Sequence, residues 1–421
     1  MILRQYQTDI STAACELLKL HNIAYLNMQV RTGKTITAFE TVKKYGAKIV
    51  IFVTKKKAMS SVEKDYLDNY ANDFKCYLIN FESLHKLAGI QADLFIIDEA
   101  HSLGQFPVAS LRTQQLKKLC HKLPIIYLSG TPSPESYSQL YHQFWISSFS
   151  PFSDVNFYKW AKSYVNVAEK YIFNRKINDY SNAIQHRVEE ITNHLFIPYT
   201  QEEAGFTELV QESVHHVKMS DKVYQIANRL RIDKVVTGKD GQVIEADTEV
   251  KLLNKLHQLY SGTVLFDSGT EITDGMILDD TKVEWVLNNF YGRKIAIYYK
   301  FRAEAVMIEV ACKLHGLTIT NNAEEFNNSD INQIYASQFV SGREGVNLSS
   351  ADALICINID FSAITYFQVR ARLQSKDRTR TAEVHWVFAE GGIEDRIYKA
   401  VSNKKNYTLS YFKKDEKKMD I

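Results

Sequence analysis

The sequence predicts an α/β protein with two parallel-sheet domains, on three observations. Short β-branched runs alternate with amphipathic helical patterns over the first 150 residues, and the same rhythm returns from about Thr281. The stretch between is richer in Tyr, Lys, Asn and helical periodicity. At 421 residues the chain is also too long for one ordinary domain. The expected division is a first sheet domain over 1–150, a mostly helical insertion and linker over 151–275, and a second sheet domain over 276–421.

In the first domain "IAYLNM" (23–28) reads as a strand, followed by a Gly-Lys-Thr turn and the helical "TITAFETVKKYG". "AKIVIFVT" (47–54), "CYLIN" (76–80), "DLFIIDEA" (93–100) and "PIIYLSGT" (124–131) repeat the theme. Such runs suit strands buried on both faces of a parallel sheet. In the middle, "HLFIPYT" (194–200) is strand-like, and "GKDGQ" (238–242) is the strongest linker signal. The second domain offers "KIAIYYK" (294–300), "LTIT" (317–320), "INQIYASQF" (331–339), "ADALICINI" (351–359) and "AEVHWVFA" (382–389). The charged tail "FKKDEKKMDI" reads as a solvated end.

Composition sets limits. With 45% hydrophobic and 24% charged residues and six prolines, the chain is of the folded globular class. A net charge of +2 neither demands nor excludes nucleic acid, since only a local basic groove matters. Five dispersed cysteines without a CxxC pair argue against a disulfide framework or a zinc site, and for a reducing compartment. No charged-then-apolar leader or membrane-length apolar run is present, so a cytoplasmic protein without membrane contact is expected.

Chemistry concentrates in "MQVRTGKT" (28–35), where a strand, a turn and a helix follow one another. Backbone N–H groups at such a helix start surround phosphate oxygens. Arg31, Thr32 and Gly33 would form the cradle, Lys34 would reach the outer phosphates of ATP, and Thr35 would ligate Mg²⁺. Met28 stands where the full pattern has its first glycine. Downstream, "LFIIDEAH" (94–101) ends a buried strand with two adjacent acids. Buried carboxylates are costly unless they bind something. Asp98 is expected to hold Mg²⁺ and Glu99 to polarise the attacking water.

Gly-Lys-Thr, then DEAH, then "LSGTP" (128–132) resembles motifs I, II and III of the superfamily 2 helicases, and "LRQYQ" (3–7) resembles the adenine-reading segment of their Swi2/Snf2 branch. The resemblance implies two tandem RecA-like domains, with Gln7 contacting adenine and Arg4 or Tyr6 lying against the base. "SGREGVNLSSAD" (341–352) resembles motif V through Gly342, Gly345, Asn347 and Leu348. "YFQVRARLQSKDR" (366–378) resembles motif VI through Gln368 and Arg372, with Ala371 at the glycine and Ser375 at the second arginine. That leaves the γ-phosphate arginine open among Arg370, Arg372 and Arg378. Arg372 is favoured and Arg378 is second, since arginines two apart on a helix cannot all face one ligand. Segments 218–230, 252–262 and 280–290 resemble the region between the two motor domains of that branch, and the compact size suggests a minimal phage or mobile-element type, acting in a bacterial host cell if phage-encoded.

"VTKKKAMSS" (53–61) resembles motif Ia, which makes Lys55, Lys56, Lys57 and Ser60 candidates for nucleic-acid phosphates. "YYKFRAEA" (298–305) resembles motif IV and adds Lys300 and Arg302, and Asn347 completes the set. Ser129 and Thr131 are the expected coupling residues between nucleotide and nucleic acid. The resemblance implies a nucleic-acid-stimulated ATPase, acting as a monomer that translocates on or remodels duplex or branched DNA without sequence preference. Two alternatives stand beside it: an RNA helicase, and a helicase-shaped binding module without productive ATP turnover.

Overall fold

A computed structural model of the chain describes residues 3–87, 89–172, 175–205, 210–238, 241–267, 275–339, 346–374 and 381–403. It divides into two compact units, Met1–Phe206 and Thr207–Ile421.

The first unit holds strands β1 (Ile23–Met28), β2 (Ile49–Thr54), β3 (Lys75–Asn80), β4 (Leu94–Asp98) and β5 (Ile125–Leu128), an antiparallel pair β6 (Ala168–Ile172) and β7 (Arg175–Asp179), and β8 (Phe196–Tyr199). Among the described residues six of them form one parallel sheet in the order β3-β2-β4-β5-β1-β8. Alternate residues serve opposite faces, as a period-two backbone requires. Tyr25, Ile51, Phe95 and Tyr127 join one core, and Leu26, Phe52, Ile96 and Leu128 the other. Helices Gln5–His21 and Lys34–Tyr45 cover the second face through Ile10, Leu18 and Phe39. Helices Gln139–Trp145, Phe157–Tyr164 and Gln185–Thr192 cover the first through Phe144, Trp160 and Val188.

The second unit begins with β9 (Val210–Val217). The short pairs β10 (Val235–Thr237) with β11 (Val243–Glu245) and β12 (Thr263–Val264) with β13 (Met276–Ile277) follow. Then come β14 (Ile295–Tyr299), β15 (Thr318–Thr320), β16 (Gln333–Gln338), β17 (Ala353–Cys356) and β18 (Ala382–Ala389). Its parallel sheet runs β15-β16-β14-β17-β18-β9. Two cores again lie on its two faces, one around Ile297, Ile355 and Val387, the other around Tyr298, Cys356 and Trp386. Two parallel sheets with flanking helices are therefore present, as the sequence predicts.

The middle of the chain differs from the expected helical insertion. Residues up to Phe206 pack with the first unit, and those from Thr207 with the second. The middle also supplies an edge strand to each sheet, β8 beside β1 and β9 beside β18. "GKDGQ", of which 239–240 lie outside the described residues, falls between β10 and β11, which pair antiparallel, with Gly238 N donating to Gln242 O at 2.7 Å and Gly241 at φ 72°. All five cysteines are free thiols, four of them buried. No described helix is long and apolar enough to cross a membrane.

One buried imidazole makes stability depend on pH. His142 is buried with Nδ1 2.7 Å from Gln105 O, and burial pushes its pKa down from 6.5 to about 4. The unfolded chain therefore takes up a proton on this side chain at a pH where the folded chain does not. Its contribution is intact above about pH 6.5 and is lost as pH falls toward 4. The first unit's melting temperature should decline over that window, and His142→Gln should make the decline shallower in parallel thermal scans.

Candidate nucleotide site

The strand order places three loops side by side. β4, β5 and β1 are consecutive in the sheet, so the segments leaving their carboxyl ends, Glu99 onward, Ser129 onward and Gln29 onward, share one edge. Open parallel sheets bind ligands at that edge.

The loop after β1 resolves the question of the absent glycine. Met28 is the last residue of β1, fully buried in the core, where extended backbone needs no glycine. The left-handed positions are Arg31, at φ 64°, and Gly33, at φ 82°. Gly33 caps the helix Lys34–Tyr45, and a Cβ there would lie 2.4 Å from Gln7 Nε2. The close approach falls on Gly130, whose added Cβ would stand 3.2 Å from Met28 O and 3.5 Å from Val30 N. Lys34 Nζ donates to Met28 O at 3.0 Å and Gln29 O at 3.2 Å, so its ammonium sits over the loop. Thr32 is buried and its hydroxyl donates to Gln29 O at 2.8 Å, while Thr35 lies half-buried in the first helical turn.

The N-terminal segment meets this loop. Tyr6 donates its hydroxyl to Thr32 O at 3.0 Å and stacks on Tyr199 with centroids 4.5 Å apart. Gln7 is buried and its Oε1 accepts from Arg4 N at 3.0 Å, closing the start of the first helix, while the Arg4 guanidinium donates to Tyr6 Oη at 3.3 Å.

Asp98 and Glu99 stand at the end of β4. Asp98 accepts from Thr54 Oγ1 at 2.7 Å and from Glu99 N at 3.0 Å. Burial and the neighbouring Glu99 charge push its pKa up to about 6, against the Thr54 hydrogen bond and the Lys34 charge. For Glu99, burial acts upward, but the His101 contact and the charges of Lys34 and Lys55 outweigh it and hold the carboxyl well below the usual range. Glu99 is itself left-handed, at φ 50°, an uncommon conformation for a side chain without a local reason. His101 Nδ1 lies 3.2 Å from the Glu99 carboxylate and 3.1 Å from Ser129 Oγ, and Ser129 Oγ accepts from Thr131 N at 3.1 Å. Ser129 and Thr131 are thus joined to the acid pair through His101.

These residues fit a magnesium nucleotide. Two half-buried carboxylates share the sheet edge with a lysine at a helix start, whose charge acts on both. Among the described residues no group of three His, Cys, Asp or Glu is arranged to hold a metal alone. Thr35 and Asp98 would hold the cation together with phosphate oxygens.

In the second unit Gln368 and Arg372 are buried, at 7% and 6% exposure. Arg372 Nη1 donates to Val346 O at 3.5 Å, and its carbonyl accepts from Leu348 N at 3.3 Å, which ties it to the segment carrying Asn347. Asn347 Oδ1 accepts from Ser349 N at 3.1 Å and its carbonyl from Asn327 Nδ2 at 2.8 Å. Arg370 is drawn to Glu212 instead, with Nε 2.5 Å from Oε1. Gly342, Gly345, Ser375 and Arg378 lie outside the described residues.

The expected phosphate-contact residues separate. Lys56, Lys57 and Ser60 are exposed on the turn and helix after β2, and Arg302 is exposed at the start of helix Arg302–Leu314. Lys55 is half-buried and its charge acts on Glu99. Lys300 is placed differently: Nζ pairs with Asp360 Oδ1 at 2.5 Å and lies 4.3 Å from the Phe361 ring centroid, so its charge is taken up within the unit.

Sequence reasoning passed over Thr54, His101, Gln201 and Glu212. Gln201 donates from Nε2 to Val30 O at 3.0 Å and from its backbone to Gln29 Oε1 at 2.9 Å, bracing the phosphate loop from the far end of β8. His101 was within reach, since it closes the DEAH string; the other three carry no local pattern. Left-handed backbone at Gly33 gives a direct check of the loop. Gly33→Ala should cost about 1–2 kcal/mol of stability in denaturant titrations and weaken nucleotide binding, because the Gln7 amide must also move aside.

No family model matches the chain. Over 94 residues, 22% of its length, it is 31% identical to "Putative helicase 172L" of Invertebrate iridescent virus 6, and the match spans 16% of that protein. In fold it is similar to the SWI2/SNF2 ATPase core of Sulfolobus solfataricus, solved in complex with dsDNA, with a TM-score of 0.41, 17% identity, and coverage of 98% of this chain and 92% of that one.

Proposed function

We propose that the protein is a nucleic-acid-stimulated ATPase of the Swi2/Snf2 type that moves along or remodels DNA. The observation that carries this reading is that Lys34, Asp98 and Glu99 lie at one edge of the parallel sheet, after β1 and β4 on either side of β5, with His101 linking Glu99 to Ser129. The local identity to a viral protein named as a helicase supports it.

In this reading the backbone of 31–33 binds the phosphates, and Lys34 leaves the loop carbonyls for the outer phosphate oxygens. Magnesium, when bound, neutralises phosphate charge. Asp98 and Thr35 hold that cation, so Asp98 must be ionised. Glu99, kept ionised by His101, Lys34 and Lys55, takes the proton of the attacking water. Arg372 and Gln368 are the residues this reading gives to the charge that develops on the outer phosphate. Ser129 and Thr131 pass the state of the site onward through His101. Lys56, Lys57, Ser60, Arg302 and Asn347 hold DNA phosphates, which gives binding without sequence code and a steep loss with salt.

ATP hydrolysis measured with duplex DNA, single-stranded DNA, forks and RNA tests the reading. Duplex or forked DNA should give the largest stimulation. Lys34→Ala and Glu99→Gln should each lower kcat by about a hundredfold or more, with Glu99→Gln still binding nucleotide. Stimulation by RNA alone would turn the reading to an RNA helicase. Activity in cells that survives Lys34→Ala would leave a binding module.

A further inference from the structure

The edge strand β9 carries a carboxylate that the nucleotide site does not use. Glu212, with its side chain 15% exposed, accepts hydrogen bonds from three neighbours and pairs with the charge of a fourth. Tyr366 Oη donates at 2.8 and 3.1 Å, Trp386 Nε1 at 3.0 Å and Tyr398 Oη at 3.4 Å, while Arg370 Nε stands 2.5 Å away. Burial and the Glu212 charge push the Tyr366 hydroxyl far above its ordinary range, which keeps it a donor. Few carboxylates are so fully occupied, and charge-assisted bonds of this kind are the strong ones.

Two of these four partners, Tyr366 and Arg370, lie on the helix Ala363–Arg370, which also bears Gln368. Tyr366 and Arg370 are four residues apart and share one face. Gln368 is turned from Tyr366 by about 200°, onto the opposite face. The helical path continues past Arg370, with Ala371 N bonded to Phe367 O and Arg372 N to Val369 O, so Arg372 follows Gln368 on that second face. Gln368 is buried there, and its Oε1 has no hydrogen-bond partner among the described residues. One face of the helix is therefore bolted to the sheet edge, while the other carries the two residues assigned to the nucleotide.

We infer that Glu212 is a positioning residue: by holding Tyr366 and Arg370 it sets the rotation of the helix about its axis and so aims Gln368 and Arg372. This rests on the ATPase reading for its consequence, though not for its geometry. It also assigns Arg370, the arginine nearest Arg372 in sequence, to the brace and not to the nucleotide.

The test compares wild type, Glu212→Gln, Glu212→Ala and Arg370→Gln by steady-state ATP hydrolysis with duplex DNA, and by hydrogen–deuterium exchange over 363–372, at temperatures where melting curves show every variant folded. Glu212→Gln keeps an acceptor for the phenols and the indole but loses the charge that pairs with Arg370. Glu212→Ala should lower kcat about tenfold to a hundredfold while the KM for ATP stays within about twofold, because the phosphate loop belongs to the other unit. Glu212→Gln and Arg370→Gln should each give a smaller loss of the same pattern, and exchange over 363–372 should quicken in all three. Unchanged exchange and kcat in Glu212→Ala would overturn the inference. So would a loss of about a thousandfold or more in Arg370→Gln with Glu212→Gln unaffected, which would make Arg370 a direct contact. A wild type that hydrolyses no ATP would instead sink the ATPase reading, and exchange would still judge the brace.

Discussion

Two carboxylates adjacent in sequence at the end of a buried strand repel one another, and the arrangement around Asp98 and Glu99 answers that repulsion. Desolvation raises the cost of both charges, so the first unit divides them: Glu99 is held ionised and Asp98 is pushed toward neutrality. His101, Lys34 and Lys55 supply the stabilising side and Thr54 a neutral hydrogen bond. The divalent cation proposed for this site would relieve both the repulsion and the desolvation at once. The same logic makes His101 more than the end of a motif: its contact with Ser129 ties the charge state of β4 to the segment leaving β5.

The phosphate loop shows that a motif's glycines stand for backbone states and close approaches. Where Met28 replaces a glycine the backbone is still strand, so a buried side chain is tolerated and even adds to the core. The close contact has moved to the partner segment, where Gly130 leaves room beside Met28 and Val30. Arg31 accepts left-handed backbone at an energetic cost that the surrounding bonds from Tyr6, Thr32 and Gln201 offset.

Much of the fold is legible in the sequence because buried parallel strands write themselves as short β-branched runs. β1, β2, β4, β5, β14, β17 and β18 all follow such runs. β9 is different: "VQESVHHV" sits at a sheet edge, is only partly buried along most of its length, and includes a glutamate and two histidines. Nothing local marks it as a strand, and the division of the chain between units is missed with it. The glycine pair in "GKDGQ" reads alike in a linker and in a hairpin turn, and only the pairing of β10 with β11 decides. The loop after β1 and the acid pair after β4 stand out in the sequence because each is a contiguous string. Thr54, Gln201 and Glu212 act across the fold, at separations of 44, 171 and 154 residues from Asp98, Val30 and Tyr366, where one sequence carries no signal. The pairing of Lys300 with Asp360, 60 residues away, is hidden in the sequence for the same reason.

The two edge strands have a common logic. β8 closes the first sheet, and the residues at and beyond its end, Tyr199 and Gln201, hold Gln29, Val30 and Tyr6 around the phosphate loop. β9 closes the second sheet, and Glu212 holds the helix that carries Gln368. An edge strand has one side free of pairing, so its side chains and its continuation can be given to neighbouring loops without disturbing the ladder. These two strands are consecutive in the chain and flank the passage from one unit to the next. In each unit a strand near that passage in sequence thus braces a segment that carries candidate site residues, through a few short hydrogen bonds.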